Sequence, residues 1–162
     1  MKLELKHLVP YLPYKLQMKC AKDVIWRPNG NEKPLIKEAD ATLTTDLLAD
    51  IEDGVYDSLT KFKPILRPLS DLKNVIGIDG ILIYPLLELT EKVIAIEPES
   101  FNNKKDAIMW IDAVIITEVV QDNGYYKIPH WAFQELIKWK FDVFGLIKKE
   151  LAIDINILLK IK

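Results

Sequence analysis

The chain has 162 residues and a net charge of −2, and it is 49% hydrophobic and 28% charged. This length predicts a single domain, residues 1–162, and the balance of hydrophobic and charged residues excludes a disordered chain. The 24 acidic residues outnumber the 22 basic ones, which disfavours duplex nucleic acid as a partner. A single cysteine excludes an internal disulfide and a cysteine-based zinc site, and it is typical of a reducing compartment.

No segment of the sequence has the character of a membrane or export signal. Residues 1–16 carry charges every few positions and lack the apolar core of a signal peptide. The most apolar stretch, residues 75–89, is interrupted by Asp79 and Pro85 and is too short to span a bilayer. We therefore expect a cytoplasmic protein that does not associate with a membrane.

The first part of the chain is predicted to form antiparallel strands. Leu16 and Met18 alternate with polar residues, which is the period of a half-buried strand. Residues 38–57 are acidic, and Asp53-Gly54 suits a hairpin turn. This acidic stretch is therefore predicted to form meandering antiparallel strands.

Arg67 stands in a stiff, proline-rich segment and is one of only two arginines. Pro64 and Pro68 bias the residues before them away from helix, so residues 62–69 are predicted to form an extended edge strand. A guanidinium group can pair with a carboxylate or phosphate through two parallel hydrogen bonds, which makes Arg67 a candidate contact for an anionic ligand. The alternative is a structural role, in which Arg67 pairs with an acid from residues 38–57.

A hairpin is predicted in the second half of the chain. Residues 110–120 are apolar and β-branched, Asn123-Gly124 suits a type I′ turn, and Tyr125-Tyr126 begin the returning strand. Aromatic side chains most often pack in a core, but they are also enriched at interfaces. The two tyrosines are therefore candidates for a partner-binding surface.

Residues 130–149 are predicted to form the main amphipathic helix, with apolar residues on one broad face. Lys140 falls inside that face and Trp139 at its margin. Because burying an unpaired ammonium group is costly, we expect Lys140 to be paired, to extend to the helix edge, or to face a ligand pocket or an oligomer interface. Residues 151–157 alternate in the manner of a strand. The predicted fold class is α+β, with antiparallel strands in one or two curved sheets and the helix packed on them.

Catalytic and metal-binding motifs are missing from the pattern of residues. The acidic residues 50–54 lack the ligand spacing of a calcium loop, and Gly77 to Gly80 lack the Gly-Lys-Ser/Thr that ends a phosphate loop. The sequence accordingly predicts no catalytic residue, no metal and no cofactor.

Three segments resemble a known group of proteins. FKPILRPLSDL, WAFQELIKWKFDVFGLIKKELAIDIN and the N-terminal KLELKHLVPYLPYKL are similar to motifs of small uncharacterised proteins encoded by phages and prophages of gut bacteria. The pattern of that group has a glycine where this chain has Glu150, and often a histidine where it has Lys140. The resemblance implies a phage or mobile-element origin, hence the cytoplasm of a host cell, and it supplies no activity.

Three functions remain open from the sequence. The first is an accessory protein that binds a host factor or a small anionic ligand without catalysis, for example to blunt a host defence. The second is a structural or assembly component of the virion, which predicts a homo-oligomer. The third is an enzyme with an unrecognised site, although the residues favour a non-enzyme.

Overall fold

The computed structural model describes residues 3–20, 40–52, 62–117 and 128–160, and the structural statements below concern these residues. The chain divides into two compact units, a first unit of Met1–Leu66 with Leu146–Lys162 and a second unit of Arg67–Gly145. Helices occur together with mainly antiparallel sheets, so the predicted α+β fold class is confirmed. That the chain forms a single domain stays a prediction.

The described strands and helices are numbered in chain order. The strands are β1 (Gln17–Cys20), β2 (Asp40–Thr42), β3 (Phe62–Leu66), β4 (Ile76–Ile78), β5 (Ile81–Ile83) and β6 (Ile153–Asp154). The α-helices are α1 (Leu5–Leu8), α2 (Thr45–Glu52), α3 (Pro85–Ile96), α4 (Lys104–Ile111), α5 (His130–Lys138) and α6 (Ile155–Leu159). Short 3₁₀ turns cover Val9–Tyr14, Leu69–Lys73 and Pro98–Ser100, and a π-helical segment covers Asp112–Thr117.

The first unit contains a four-stranded sheet in the order β2-β1-β3-β6. β1 is antiparallel to β2 and β3, and β6 runs parallel to β3. Leu16 and Met18 are buried, which confirms the strand predicted from their alternation. The prediction of an edge strand at residues 62–69 is wrong, because β3 has a neighbour on each side. β6 pairs only with Ile65 and Leu66 of β3. Pro64 therefore has a strand neighbour only on the side of β1, where it lies opposite Met18, as suits a residue without an amide hydrogen.

The acidic stretch forms a helix where strands were predicted. β2 lies within it, but α2 follows at once. The Thr44 hydroxyl accepts a hydrogen bond from the Leu47 backbone amide at 3.1 Å, and Leu47 is buried. Such a cap satisfies an amide that the first turn leaves unpaired, and it starts the helix despite the β-branched residues before it. The turn predicted at Asp53-Gly54 lies outside the described residues.

Residues 110–117 are helical, whereas a strand was predicted there. α4 begins after Asn103, whose side-chain oxygen accepts a hydrogen bond from the Asp106 amide at 3.0 Å, and the π-helical segment continues the chain. Ile111 and Ile115 are buried four residues apart, which places them on one helical face. Their burial outweighs the strand preference of a β-branched run.

The helix predicted at residues 130–149 is shorter in the structure, where it is α5 and ends at Lys138. Lys140 has a left-handed backbone with φ 62°, and its amide donates to the carbonyl of Ile137 at 2.9 Å. The Phe141 amide donates to the carbonyl of Leu136, also at 2.9 Å. These two bonds form a Schellman motif, which closes the end of a helix.

The same stop recurs ten residues later, at Glu150. Glu150 has φ 59°, and its amide donates to the carbonyl of Ile147 at 3.0 Å, while Leu151 donates to Leu146 at 2.9 Å. Glycine or asparagine usually occupies the left-handed position of this motif. Because lysine and glutamate stand there instead, the sequence carried no stop signal, and the helix was predicted too long.

Of the strand predicted at residues 151–157, only Ile153 and Asp154 form a strand, and residues 155–157 are helical. β6 contributes only two residues, and α6 then begins at a cap in which the Asp154 carboxylate accepts a hydrogen bond from the Asn156 amide at 2.9 Å. The alternation of isoleucines with polar residues gave the strand prediction, but the aspartate cap decides the conformation locally.

In the second unit, β4 and β5 form a hairpin that was not predicted from the sequence. Its turn is Asp79-Gly80, with φ 50° and 84°, as a type I′ turn requires at both central residues. Pro85 then occupies the first position of α3, where its missing amide costs nothing.

Candidate functional site

The backbone of Arg67 is bound to the segment that follows α5, which begins with Trp139 and Lys140. Arg67 and Phe141 form an isolated parallel bridge. The Arg67 amide donates to the Lys140 carbonyl at 2.9 Å, and the Asp142 amide donates to the Arg67 carbonyl at 2.8 Å. The backbone of Arg67 is therefore fixed on both sides by the segment that ends the helix.

The side chain of Arg67 is paired inside the protein. Its Nη1 lies 3.7 Å from Oδ2 of Asp71, and these side chains are only 12% and 13% exposed. The acid expected from residues 38–57 is thus not the partner; Asp71 is, four residues further along in the Leu69–Lys73 turn. We call Arg67, Asp71 and residues 140–142 the Arg67 anchor.

The Arg67 anchor leaves its cation little freedom to bind a ligand. Asp71 also accepts a hydrogen bond from the Asn74 amide group at 3.4 Å, and Asp142 is buried beside the backbone of Arg67. Nε of Arg67 is buried without a hydrogen-bond partner in the described part of the chain. An anion from solvent would have to displace Asp71, which would leave a nearly buried carboxylate uncompensated.

Lys140 does not lie on a helix face. It follows the end of α5 in a left-handed conformation and is half-buried. The conflict between an ammonium group and an apolar helix face therefore disappears, since the face ends before Lys140. In the Arg67 anchor, Lys140 acts through its backbone carbonyl.

Trp139 lines a cleft of about 380 Å³ in the second unit, which we call the Trp139 cleft. Its walls come from the end of β5 and from two helices. The lining residues are Ile83, Glu88, Glu91, Lys92, Glu135, Lys138 and Trp139. α3 supplies Glu88, Glu91 and Lys92, and α5 with its C-cap residue supplies Glu135, Lys138 and Trp139, each set at the spacing i, i+3, i+4. This spacing places each set on one face of its helix.

Glu135 holds the two helices of the cleft together. Nζ of Lys92 on α3 lies 2.6 Å from Oε1 of Glu135, and Nζ of Lys138 lies 3.6 Å from Oε2. Burial raises the pKa of Glu135, but the hydrogen bond from Lys92 and the charges of both lysines outweigh it and keep the pKa below its ordinary value. Glu135 therefore stays ionised, and both lysines of the cleft are engaged.

The two carboxylates on α3 differ. Glu91 forms an ion pair with Lys104, whose Nζ lies 3.0 Å from Oε1 of Glu91, and this pair joins α3 to the start of α4. Glu88 is exposed, and its carboxylate has neither an ion pair nor a hydrogen bond with any described residue. Glu88 is thus the cleft-lining acid whose charge is available to a ligand.

Trp139 itself is mostly buried, with 8% of its surface exposed. It is the C-cap residue of α5, so its backbone is fixed by the helix end. A tryptophan at the margin of a helix face was predicted as a candidate contact, and the structure adds that it lines a cleft. Whether Arg67, Lys140 and Trp139 bind a ligand stays a prediction.

Tyr125 and Tyr126, with the Asn123-Gly124 turn, lie outside the described residues. In the ranges that the structure covers, no three histidine, cysteine or acidic side chains are grouped in a way that could hold a metal ion. None of the described helices is long and apolar enough to cross a membrane.

Comparison with protein-family models, with curated proteins and with solved structures finds no match to this chain.

Proposed function

We propose that the protein is an accessory protein of a phage or mobile element that acts by non-catalytic binding in the cytoplasm of the host cell. The resemblance of its sequence motifs supports the origin. The Trp139 cleft supports the binding role, because it combines an aromatic side chain with fixed charges in a concave surface of a size that binding pockets have. We propose this cleft as the binding site, with host defence as one process that it would affect.

A host protein is a better candidate partner than a small anion. The guanidinium group that was the leading anion contact is paired with Asp71. In the cleft, three glutamates face two lysines, and both lysines are already engaged by Glu135. An anion would therefore meet repulsion from Glu88 without gaining a free cation.

Blocking the cleft tests this proposal. Glu88→Trp places a bulky side chain at the cleft wall whatever the charge of the ligand, and Glu99→Trp is a matched change at another exposed glutamate of the second unit. Each untagged protein is coupled to a support and incubated with lysate of a gut bacterium, and captured proteins are identified by mass spectrometry. We expect one protein to be captured by the wild type and by Glu99→Trp but not by Glu88→Trp. Equal capture by all three, or no capture at all, would contradict the proposal.

The β4–β5 hairpin favours a second candidate, self-association in a virion or its assembly. Ile81 and Leu82 are 66% and 75% exposed, and Tyr84 is also exposed. Exposed apolar residues on a two-stranded sheet are a common site of association. Native mass spectrometry of the wild type would show a homo-oligomer that Leu82→Lys dissociates, and a monomer at all concentrations would count against this function.

A further inference from the structure

The charges of the Trp139 cleft favour a cationic ligand. Glu135 is satisfied by Lys92 and Lys138, and Glu91 is satisfied by Lys104. Glu88 remains with an exposed carboxylate that has no ion-pair or hydrogen-bond partner in the ranges that the structure covers. A positively charged group that enters the cleft would therefore find a partner without breaking an existing ion pair.

The aromatic residue of the cleft suits the same ligand. Trp139 lines the space that Glu88 borders. Tryptophan is the aromatic residue that attracts lysine and arginine groups most strongly, and this attraction is larger where water is partly excluded. Carboxylate and indole thus favour one kind of occupant, a lysine or arginine side chain.

An apolar surface continues from the cleft along the hairpin. The register pairs Ile76 with Ile83 and Ile78 with Ile81, and directly opposite residues share one face of a sheet. We call these four residues the isoleucine face. Its base at Ile76 is buried, while Ile81 is mostly exposed and Ile83 lines the cleft. A ligand that fills the cleft and extends along β5 would cover this face.

We propose that the Trp139 cleft binds a lysine or arginine side chain of a partner protein, and that an apolar residue two positions away in the partner packs on the isoleucine face. The spacing follows from β5, because Ile83 and Ile81 are two residues apart on one face and an extended partner segment has the same repeat. This inference rests on the proposed function and names the chemistry of its ligand.

Short peptides test the charge and the apolar residue separately. The probes are acetyl-Lys-Ser-Ile-amide, the charge-reversed acetyl-Glu-Ser-Ile-amide, and acetyl-Lys-Ser-Ser-amide, in which serine replaces the isoleucine. Each is titrated into the ¹⁵N-labelled full chain, and binding is followed through the indole NH of Trp139 and the amide of Glu88. We expect the lysine-isoleucine probe to shift both signals, the glutamate probe to leave them unchanged, and the serine-ended probe to bind more weakly.

Variants at the carboxylate provide the matched control. Glu88→Gln keeps the shape of the side chain and removes its charge, and we expect it to raise Kd of the lysine-isoleucine probe about 1.5- to fivefold. Glu99→Gln should leave Kd unchanged, since Glu99 does not line the cleft. Circular dichroism of both variants checks that the fold is retained.

The outcomes separate this inference from the proposed function. If the glutamate probe shifts the Trp139 signal as strongly, or Glu88→Gln binds the lysine-isoleucine probe unchanged, the cationic ligand is wrong while the cleft stands as a binding site. If no probe shifts a cleft signal but Glu88→Trp abolishes capture from lysate, the inference fails and the proposed function survives. If Glu88→Trp also retains capture, both fail.

Discussion

The Arg67 anchor and the Trp139 cleft are built on the same stretch of chain, where α5 ends. In the anchor, the one arginine of the segment is paired with Asp71, and its backbone is bound to residues 140–142. In the cleft, four of the lining side chains carry charges that are paired, and Glu88 has no partner among the residues that the structure describes. One region uses its charge internally, and the other presents a charge to solvent.

This difference shows which property of a charged residue indicates binding. Arg67 was the leading candidate because arginine is rare in this chain and its backbone is stiffened by proline. Both features equally suit a structural pair, because a stiff backbone also lowers the entropy lost in an internal contact. An unpaired charge in a concave site is the more direct indication, and only the structure reveals it.

Removing the arginine should give the largest effect. Arg67→Ala leaves the Asp71 carboxylate, which is 13% exposed, without its cation. We expect the free energy of unfolding to fall by about 2–3 kcal/mol, as for other mostly buried pairs that lose one partner. Urea unfolding followed by circular dichroism measures the change.

A second variant distinguishes the pair from a general loss of packing. If the pair matters, Arg67→Ala combined with Asp71→Ala should cost less than the sum of the two single changes. Capture of a partner by Arg67→Ala should be unchanged at a temperature where the variant is folded. An unchanged unfolding midpoint together with lost capture would restore Arg67 as a ligand contact and overturn the distinction between the two regions.

Lys140 belongs to the Arg67 anchor and directly follows Trp139 of the cleft. Its replacement by glycine should raise the stability of the protein, whereas Arg67→Ala should lower it. The φ of 62° at Lys140 favours glycine, so Lys140→Gly is expected to stabilise the protein by about 0.5–1 kcal/mol. Lys140→Ala retains a Cβ and should give no such gain. Thermal unfolding of both variants checks this. A gain in stability with loss of partner capture would show that the ammonium group, in addition to the carbonyl, has a role.

How far the sequence could predict the fold depends on local signals. The alternation of Leu16 and Met18 with polar residues predicted the strand β1, and both side chains are buried in the structure. The hairpin turn at Asp79-Gly80 was within reach, since Asp-Gly is a strong hairpin signal. The end of α5 could not be predicted, because Lys140 occupies a position that usually carries glycine. Tertiary contacts, such as the hydrogen bond from the Arg67 amide to the Lys140 carbonyl, offset the strain of its left-handed backbone.

The cleft was only partly predictable, for a different reason. The spacing Glu135, Lys138, Trp139 lies on a helix that the sequence did predict, and Trp139 was singled out. α3 was not predicted, because Asp79 and Pro85 interrupt the apolar run of residues 75–89 in the sequence. The contact between Lys92 and Glu135 joins residues far apart in the chain, and no local pattern specifies such a pair.

The pair that closes the cleft should contribute less than the Arg67 anchor. Lys92→Gln removes the ammonium group that binds Glu135, and since both side chains are partly exposed we expect a loss of about 0.2–1 kcal/mol. Lys105→Gln, at an exposed lysine of α4, should cost nothing measurable. The difference between the two variants should shrink in about 1 M salt, which screens exposed charges. A loss of stability from Lys92→Gln as large as that from Arg67→Ala would contradict the distinction between the internally paired Arg67 anchor and the more exposed charges of the Trp139 cleft.

The smallest effect is expected from acidification. Because the pKa of Glu135 is lowered in the folded protein, its ion pairs contribute stability that is fully present above the ordinary value of 4.5 and is lost as the pH falls through the folded-state pKa. The stability difference between the wild type and Glu135→Gln should therefore be constant near neutral pH and decline below about pH 4.5. Urea unfolding of both proteins across this range measures it. A difference that persists at the lowest pH would contradict this prediction, because glutamine has nearly the shape of a protonated glutamate and the two proteins differ there only through the charge of Glu135 and its ion pairs with Lys92 and Lys138.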